Sequence, residues 1–485
     1  MRAQLAHVRR TLGAQATPLI IAASFFLEEI DSTILTTSVP QMARSLSVDT
    51  PQMGLAISCY LLSVAIMLPV SGWLADRFGA RRLYCAALAI FAAGSALCGW
   101  APSLPLLLVG RAIQGMGGAW MTSIGRLLVV RSVSKDQLLK ATNYMIAPAL
   151  FGSLLGPVVG GFITSYFSWR WNFWINVPLA GIALLVSLRA LPKVPKAALR
   201  PFDWLGFALL AASLAAIQLI ARPHGSPVHT LGGYALAALV PVLLLGAYVW
   251  HARSSPHPLL DVRLLRKRTL GITVLAGGVA RIASGALPFA LPLVLQIEFG
   301  LNPLHSGLLT LAATLGAFVS RAGAGAAMRR LTLRTLLIIN ALVLAALIAG
   351  ISRFTPTSPH LWIFLYLLVL GFLRSVQLST LTAVGYADLE PTEFSHATML
   401  ITLAARCFMS GGPIVTAAVL GAIAGTHPPT SANFTTVFSI LAGFMAISAV
   451  GFLWLRPTDG WQLSHHSRPA IGPAAVGPSA SRDPR

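Results

Sequence analysis

An all-α integral membrane fold is predicted by three observations on this 485-residue chain, and a faint internal repeat divides it into two six-helix bundles with two further helices between them. The composition is 56% hydrophobic and only 10% charged, with mean hydropathy +0.75. Apolar stretches of about 18–25 residues recur along most of its length, each long enough to cross a hydrocarbon core of roughly 30 Å as a helix. The basic residues fall in short clusters between those stretches. The stretches are continuously apolar rather than alternating, which disfavours a membrane β-barrel.

Fourteen helices are expected, near 17–40, 52–74, 83–100, 104–127, 141–166, 172–190, 203–221, 230–250, 269–293, 304–327, 333–351, 360–387, 395–424 and 434–455. An even number places both termini on one side. Loops on that side carry Arg2, Arg9 and Arg10, then Arg77, Arg81 and Arg82, then Arg131, Lys135 and Lys140. They continue with Arg189, Lys193, Lys196 and Arg200, with Arg253, Arg263, Arg266, Lys267 and Arg268, and with Arg329, Arg330 and Arg334. The opposite loops hold Arg44, Arg170, Arg222 and Arg353. This asymmetry predicts cytoplasmic termini. One cytoplasmic loop is acidic, through Asp388, Glu390 and Glu393, but acids contribute little to topology.

The net charge of +21 raises the question of nucleic acid, and its distribution answers it: no long basic tract with interleaved aromatics is present. Cys59, Cys85, Cys98 and Cys407 lie in apolar spans without CxxC spacing and read as small buried hydrophobes. Residues 1–16 form a basic cytoplasmic lead-in without a cleavage site, so the first span is read as retained. The tail 456–485, rich in Pro, Ser, Ala and His, is expected to be disordered in the cytoplasm.

The first span holds the chain's least ordinary feature, Glu28, Glu29 and Asp31 within four positions. A charge at a helix centre costs about 2.5–3.5 kcal/mol on insertion scales, so such residues mark proton or cation sites. At about 100° per residue, Glu28 and Asp31 share a face and Glu29 lies roughly opposite Asp31, so the three cannot point equally into one cavity; Glu29 ranks third as a cavity acid, with contact to a neighbouring helix as the alternative. Arg111 in span four lies within a few ångströms of the depth of Asp31, at about 1.5 Å per residue, and is the expected partner. A snorkelling arginine is the alternative. Arg281, Arg374 and Arg406 fall near the middle of spans nine, twelve and thirteen without acids in the same spans. They either converge on a central cavity and bind an anion, or bind backbone carbonyls. Arg321 sits nearer a span end, where an arginine can snorkel.

A faint repeat relates Gly72-Trp-Leu-Ala-Asp76-Arg77-Phe-Gly79-Ala-Arg81 after span two to Gly325-Ala-Ala-Met-Arg329-Arg330-Leu-Thr-Leu-Arg334 after span ten. It divides the chain into an N-terminal bundle at 17–190, a segment with two extra helices at 191–268, and a C-terminal bundle at 269–455. Parallel repeats of this kind are common in transporters. The acid between close glycines fits a conformational latch, with plain positive-inside anchoring as the alternative.

These residues resemble a known family. The Gly72–Arg82 stretch resembles the loop 2–3 signature of the major facilitator superfamily, and Arg111-Ala-Ile-Gln114-Gly115 its fourth-helix motif. Gly152-Ser-Leu-Leu-Gly156-Pro157-Val-Val-Gly160-Gly161 is similar to the fifth-helix antiporter motif. Asp31-Ser-Thr33-Ile34 to Pro40 and Trp169-Arg-Trp-Asn-Phe-Trp-Ile-Asn176-Val-Pro178 resemble signatures of the fourteen-span drug:proton antiporters, with the nearest likeness to the MdtD-type subgroup through Arg281 to Phe289. The resemblance implies a proton-coupled exporter of lipophilic or cationic drugs in the inner (plasma) membrane, working by alternating access. It implies Asp31, Glu28 and Arg111 as the proton-coupling set, and Gly72, Asp76, Arg77, Gly79 and Arg81 with the helix-five glycines and Pro157 as conformational motifs. Glu28, Glu29, Arg281, Arg374 and Arg406 are the substrate-contact candidates. An organic anion is the alternative cargo, and a non-transporting receptor or scaffold a remote third reading. Neither a metal nor a cofactor is expected. No HExxH or P-loop is present, so neither an enzyme nor an ATP-driven pump is expected. The partners implied are a small-molecule substrate, protons and lipid; nothing in the chain names an outer-membrane partner.

Overall fold

A computed structural model describes residues 2–133, 137–192, 201–218, 231–390, 392–424 and 429–459. The expectations for Lys135, residues 193–200, the loop 219–230 and the tail from 460 lie outside these residues, as do the side chains of 2–16, 138–140 and 322–330. The chain is a succession of helices, with no strand among the described residues. In order they are α1 (Arg2–Ile34), α2 (Val39–Ser45), α3 (Gly54–Phe78), α4 (Ala80–Trp100), α5 (Leu104–Ser132), α6 (Leu138–Tyr166), α7 (Trp171–Trp174), α8 (Asn176–Ala190), α9 (Trp204–Ile217) and α10 (Leu231–Ser254). The second half comprises α11 (Arg268–Ile297), α12 (Pro303–Arg330), α13 (Leu333–Gly350), α14 (His360–Tyr386), α15 (Phe394–Ala424) and α16 (Ser431–Phe452).

Ten helical segments among the described residues are long and apolar enough to cross a membrane. The four expected spans outside that set are α1, α5, α9 and α10. Physical reasons are plain for two of them: helix α1 carries three acids and α5 carries Arg111 and Arg126, while α9 is described over 14 residues and its expected extent beyond 218 lies outside the described residues.

Span one differs from its expected extent. Helix α1 stops at Ile34 instead of running to 40. Pro40 has no N–H to return to the carbonyl four residues earlier, and the Thr36 hydroxyl donates to the Thr33 carbonyl at 2.7 Å. The chain restarts as α2 with Pro40 in its first turn, where a missing N–H costs nothing. Asn172 of α7 pins the break, its Nδ2 donating to Ser38 Oγ at 2.7 Å and to Thr164 Oγ1 at 3.2 Å.

The fifth-helix glycines explain the closeness of α6 to its neighbours. A Cβ at Gly156 would overlap Thr33, and one at Gly160 would overlap the Ile34 carbonyl, so both sites require glycine for the α1–α6 contact. Gly161 faces Pro303 and Gly307 faces Pro157 in the same way, joining α6 to α12 across the two halves. The halves also meet where α3 packs on α15, with Ser58 Oγ donating to the Ser410 carbonyl at 3.1 Å. Gln296 Nε2 donates to the Thr37 carbonyl at 2.8 Å, and the Leu304 N–H donates to Ser165 Oγ at 3.1 Å. These bridges gather toward the end of the bundles holding α2 and α7. Helices α9 and α10 pack on each other and, through Leu210, Leu214 and Tyr248, join an apolar cluster with Leu62 of α3 and Leu403 of α15. Asp203 caps α9 and holds the connection onward, accepting from the Gly206 N–H (2.8 Å), the Leu259 N–H (3.1 Å) and His251 Nε2 (2.7 Å).

Candidate functional site: charged residues around the central cavity

Asp31 lies at the centre of a sealed polar cluster inside the N-terminal half. Arg111 Nη1 donates to its Oδ2 at 2.8 Å, while Gln114 Nε2 (2.7 Å) and Asn176 Nδ2 (2.8 Å) donate to Oδ1. The pair is 0% and 1% exposed. Three helices supply it: α1 the acid, α5 the guanidinium and Gln114, α8 the asparagine. Two further Arg111 contacts hold the guanidinium, Nη1 also reaching Gln114 Oε1 at 2.7 Å and Nε the Ala56 carbonyl at 3.3 Å. Its guanidinium stacks 4.2 Å from the Tyr60 ring, a cation–π contact of the kind that stabilises a desolvated charge. Close helix approach makes room, since Gly94 of α4 sits against the Gln114 backbone. A buried pair this well solvated by protein groups is tolerable, whereas either charge alone would be costly.

Glu28 points to the seam between the halves. It is buried, and Arg406 Nη2 of α15 donates to its Oε1 at 3.2 Å. The Tyr60 hydroxyl lies beside it, both held close to Gly118: a Cβ there would be 3.0 Å from Tyr60 Oη and 3.8 Å from Glu28 Cγ.

Glu29, whose orientation the sequence left open, faces the gap between the halves. It lines the central cavity together with Ser32 and Thr33 of the same helix and Thr36 of the turn that follows it. The helical-wheel separation of the acids holds, but the Asp31 face turns into its own bundle while the Glu29 face meets the space between bundles. Positions 29, 32 and 33 are one helical stripe, which the turn at Thr36 continues. Across a cavity of about 410 Å³ stand Pro288, Phe289, Thr310, Thr314, Leu370, Arg374, Arg406 and Met409 of the second half.

The three arginines of that half part company. Arg406 and Arg374 line the cavity; Arg281 is not among its lining residues. Arg281 is 3% exposed within its own bundle, where Nη1 donates to the Thr273 carbonyl at 2.9 Å. Convergence of all three is therefore incorrect: eight residues separate Arg281 from that carbonyl on α11, so the side chain lies along its own helix toward an earlier turn. Arg374 donates to the Ser284 carbonyl at 3.1 Å and has no carboxylate within ion-pair reach among the described residues. Arg321 is exposed.

At the other end, Asp76 pairs with Arg131 at the close of α5, 3.2 Å apart. Arg77 packs over Trp73 (5.4 Å to the centroid), and Arg81 donates to the Leu188 carbonyl of α8. Gly79 takes φ 92°, a conformation glycine adopts without a Cβ penalty, and makes the corner between α3 and α4; Gly72 faces open space. Gly152 lies against the Phe26 carbonyl. The acidic loop is matched by Lys267, which bonds Glu393 and the Asp388 carbonyl. Hydrogen bonds from Lys267 and from the Glu390 N–H hold the Glu393 carboxyl below its usual range.

Sequence reasoning passed over Gln114 and Asn176 as contacts of Asp31, and over Arg126. Asn172 and Asn176 are spaced four apart, a legible signal that both serve one neighbouring stretch, here Asp31 of α1 and Ser38 of the break that follows it. Arg126 stands 5.3 Å over the Phe25 ring and interacts electrostatically with Glu28 and Glu29. Its position 15 residues after Arg111 leaves it only about 60° around the same helix. Among the described residues no group of three His, Cys, Asp or Glu side chains could hold a metal ion.

The profile of the Major Facilitator Superfamily matches residues 21–413. "Putative multidrug resistance protein MdtD" of Klebsiella pneumoniae (strain 342) is 34% identical over 444 residues, covering 89% of this chain and 93% of that protein. The protein of the same name in Pectobacterium carotovorum subsp. carotovorum (strain PC1) is 35% identical over 447 residues, covering 91% and 95%. A crystal structure of the peptide transporter POT in complex with sulfate shares the fold at a TM-score of 0.69 and 16% identity, covering 92% of this chain and 95% of that one. The sealed acid–arginine pair, the glycine-lined helix contacts and a cavity between two helical halves thus occur in a chain that belongs to the major facilitator superfamily, in its MdtD-like branch: a multi-pass membrane transporter and not an enzyme.

Proposed function

We propose that this transporter is a proton-coupled exporter of small lipophilic or cationic drug-like compounds, in keeping with the multidrug-resistance name of its relatives. It sits in the inner membrane with cytoplasmic termini and fourteen spans. The bundles 17–190 and 269–455 rock about the cavity, and the segment 191–268 adds two helices outside that movement. The observation that carries this reading is the Asp31–Arg111 cluster. A proton on Asp31 cancels one member of a buried pair and leaves Arg111 charged, so the α1–α5–α8 packing has two electrostatically distinct states. The Glu28–Arg406 contact, shared between halves, lets a change on α1 reach the second bundle. The Asp76–Arg131 pair and the helix-five glycines serve as latch and seal in that movement. One proton moved through about 100 mV supplies roughly 2.3 kcal/mol, and one pH unit about 1.4, enough for a gradient of about several hundredfold in an uncharged compound; a monovalent cation exchanged for one proton draws on the pH term alone, about tenfold per unit.

Export of an organic anion is the second reading, favoured by the uncompensated Arg374 on the cavity wall. Flux in proteoliposomes under an imposed pH gradient separates the two. A cationic dye moved against its gradient, with a carboxylate dye left unmoved, supports the first. The reverse outcome supports the second, and no gradient-dependent flux of either contradicts both.

A further inference from the structure

The two walls of the cavity differ in hydrogen-bonding character as well as in charge. On the α1 wall, the Ser32 hydroxyl donates to the Glu29 carbonyl at 2.9 Å, the Thr33 hydroxyl donates to the same carbonyl at 2.8 Å, and Thr36 donates to Thr33. Each hydroxyl hydrogen is committed to backbone, so what these groups present to a ligand is oxygen lone pairs. Glu29 adds a carboxylate to the same stripe. This wall can accept hydrogen bonds and attract positive charge.

The facing wall is its complement. Arg374 uses one nitrogen on the Ser284 carbonyl, and a guanidinium has five N–H donors and no acceptor. Arg406 also lines the cavity, but Glu28 neutralises it. Glu29 on the N-terminal half and Arg374 on the C-terminal half are thus the cavity-lining carboxylate and guanidinium without an ion pair among the described residues, Arg406 and Arg126 acting on Glu29 only at longer range.

We infer that the cavity has paired subsites for a zwitterionic substrate, Glu29 and the α1 hydroxyls taking an ammonium group and Arg374 taking a carboxylate. This rests on the transporter reading and narrows its substrate class. A ligand holding both charges touches both halves at once, whereas a cation or an anion leaves one subsite unpaired.

The test uses the full-length protein in nanodiscs and three ligands of one skeleton. Nα-dansyl-lysine carries both charges, its methyl ester only the ammonium, and its Nε-acetyl derivative only the carboxylate. Binding is read from dansyl fluorescence. Each charged hydrogen bond lost predicts about tenfold to a hundredfold weaker binding, so the zwitterion should exceed both derivatives by at least tenfold. Glu29→Gln should bring the zwitterion down to the Nε-acetyl compound, and Arg374→Gln should bring it down to the ester. Equal affinity for all three ligands overturns the inference, as does a uniform loss across ligands in both variants. Charge-selective binding without dansyl-lysine flux in proteoliposomes upholds the subsites and contradicts the export reading instead.

Discussion

Replacing Asp31 by Asn tests how much the sealed cluster contributes to the fold. The carboxylate accepts from Arg111, Gln114 and Asn176 within 2.7–2.8 Å, and none of it is exposed. An amide keeps one acceptor but points an NH₂ at one of these donors, and it leaves the Arg111 guanidinium, 1% exposed, without a counter-charge. Breaking a buried pair from one side costs about 3–5 kcal/mol, much of it the stranded charge. The double variant Asp31→Asn/Arg111→Gln removes that charge too, so it should recover a large part of the loss, with a coupling energy above about 2 kcal/mol. Cys98 offers a reporter: it is buried against the cluster, its Sγ 4.0 Å from Gln114 Oε1, and a thiol-reactive dye labels it only on unfolding. Thermal midpoints by dye labelling in detergent give the comparison. Additive losses in the double variant, or an unchanged midpoint for Asp31→Asn, would refute the reasoning.

Other outcomes follow from the same geometry. Gly160→Ala drives a methyl into the Ile34 carbonyl and should cost about 1–3 kcal/mol in the same dye assay, while Gly181→Ala, which faces open space, should change little. Arg281→Met should leave ligand affinity unchanged and lower the thermal midpoint, because that guanidinium bonds the Thr273 carbonyl away from the cavity. Arg131→Gln breaks an exposed pair worth about 0–1 kcal/mol, so it should slow transport in flux assays with little loss of stability. The depressed Glu393 carboxyl contributes stability that is present above the ordinary carboxylate value of 4.5 and is lost as pH falls through its lower folded value; Glu393→Gln should flatten the acid limb of the midpoint-versus-pH curve.

The membrane class, the helix positions and the Asp31–Arg111 depth match were legible because each depends on spacing along one helix or on bilayer thickness. The helix-five glycines were legible as packing residues, but that Gly156 and Gly160 face α1 while Gly161 faces α12 depends on how α6 is rotated. Rotation is also what hid the cavity. The sequence separates Glu29 from Asp31 by angle, yet cannot say which of two opposite faces meets the gap between bundles. Arg374 and Arg281 look alike in sequence, and only the turn of α14 and of α11 tells one as a wall of the cavity and the other as a carbonyl ligand. The break at 35–38 was hinted at by Pro40, but its partner Asn172 is 134 residues distant from Ser38.

Substrate-induced proton release from the purified protein in weakly buffered solution tests the central claim most directly. Adding a transported compound should acidify the solution for the unaltered protein, with the signal abolished in Asp31→Asn and retained in Arg281→Met. Proton release of undiminished size from Asp31→Asn would contradict the account.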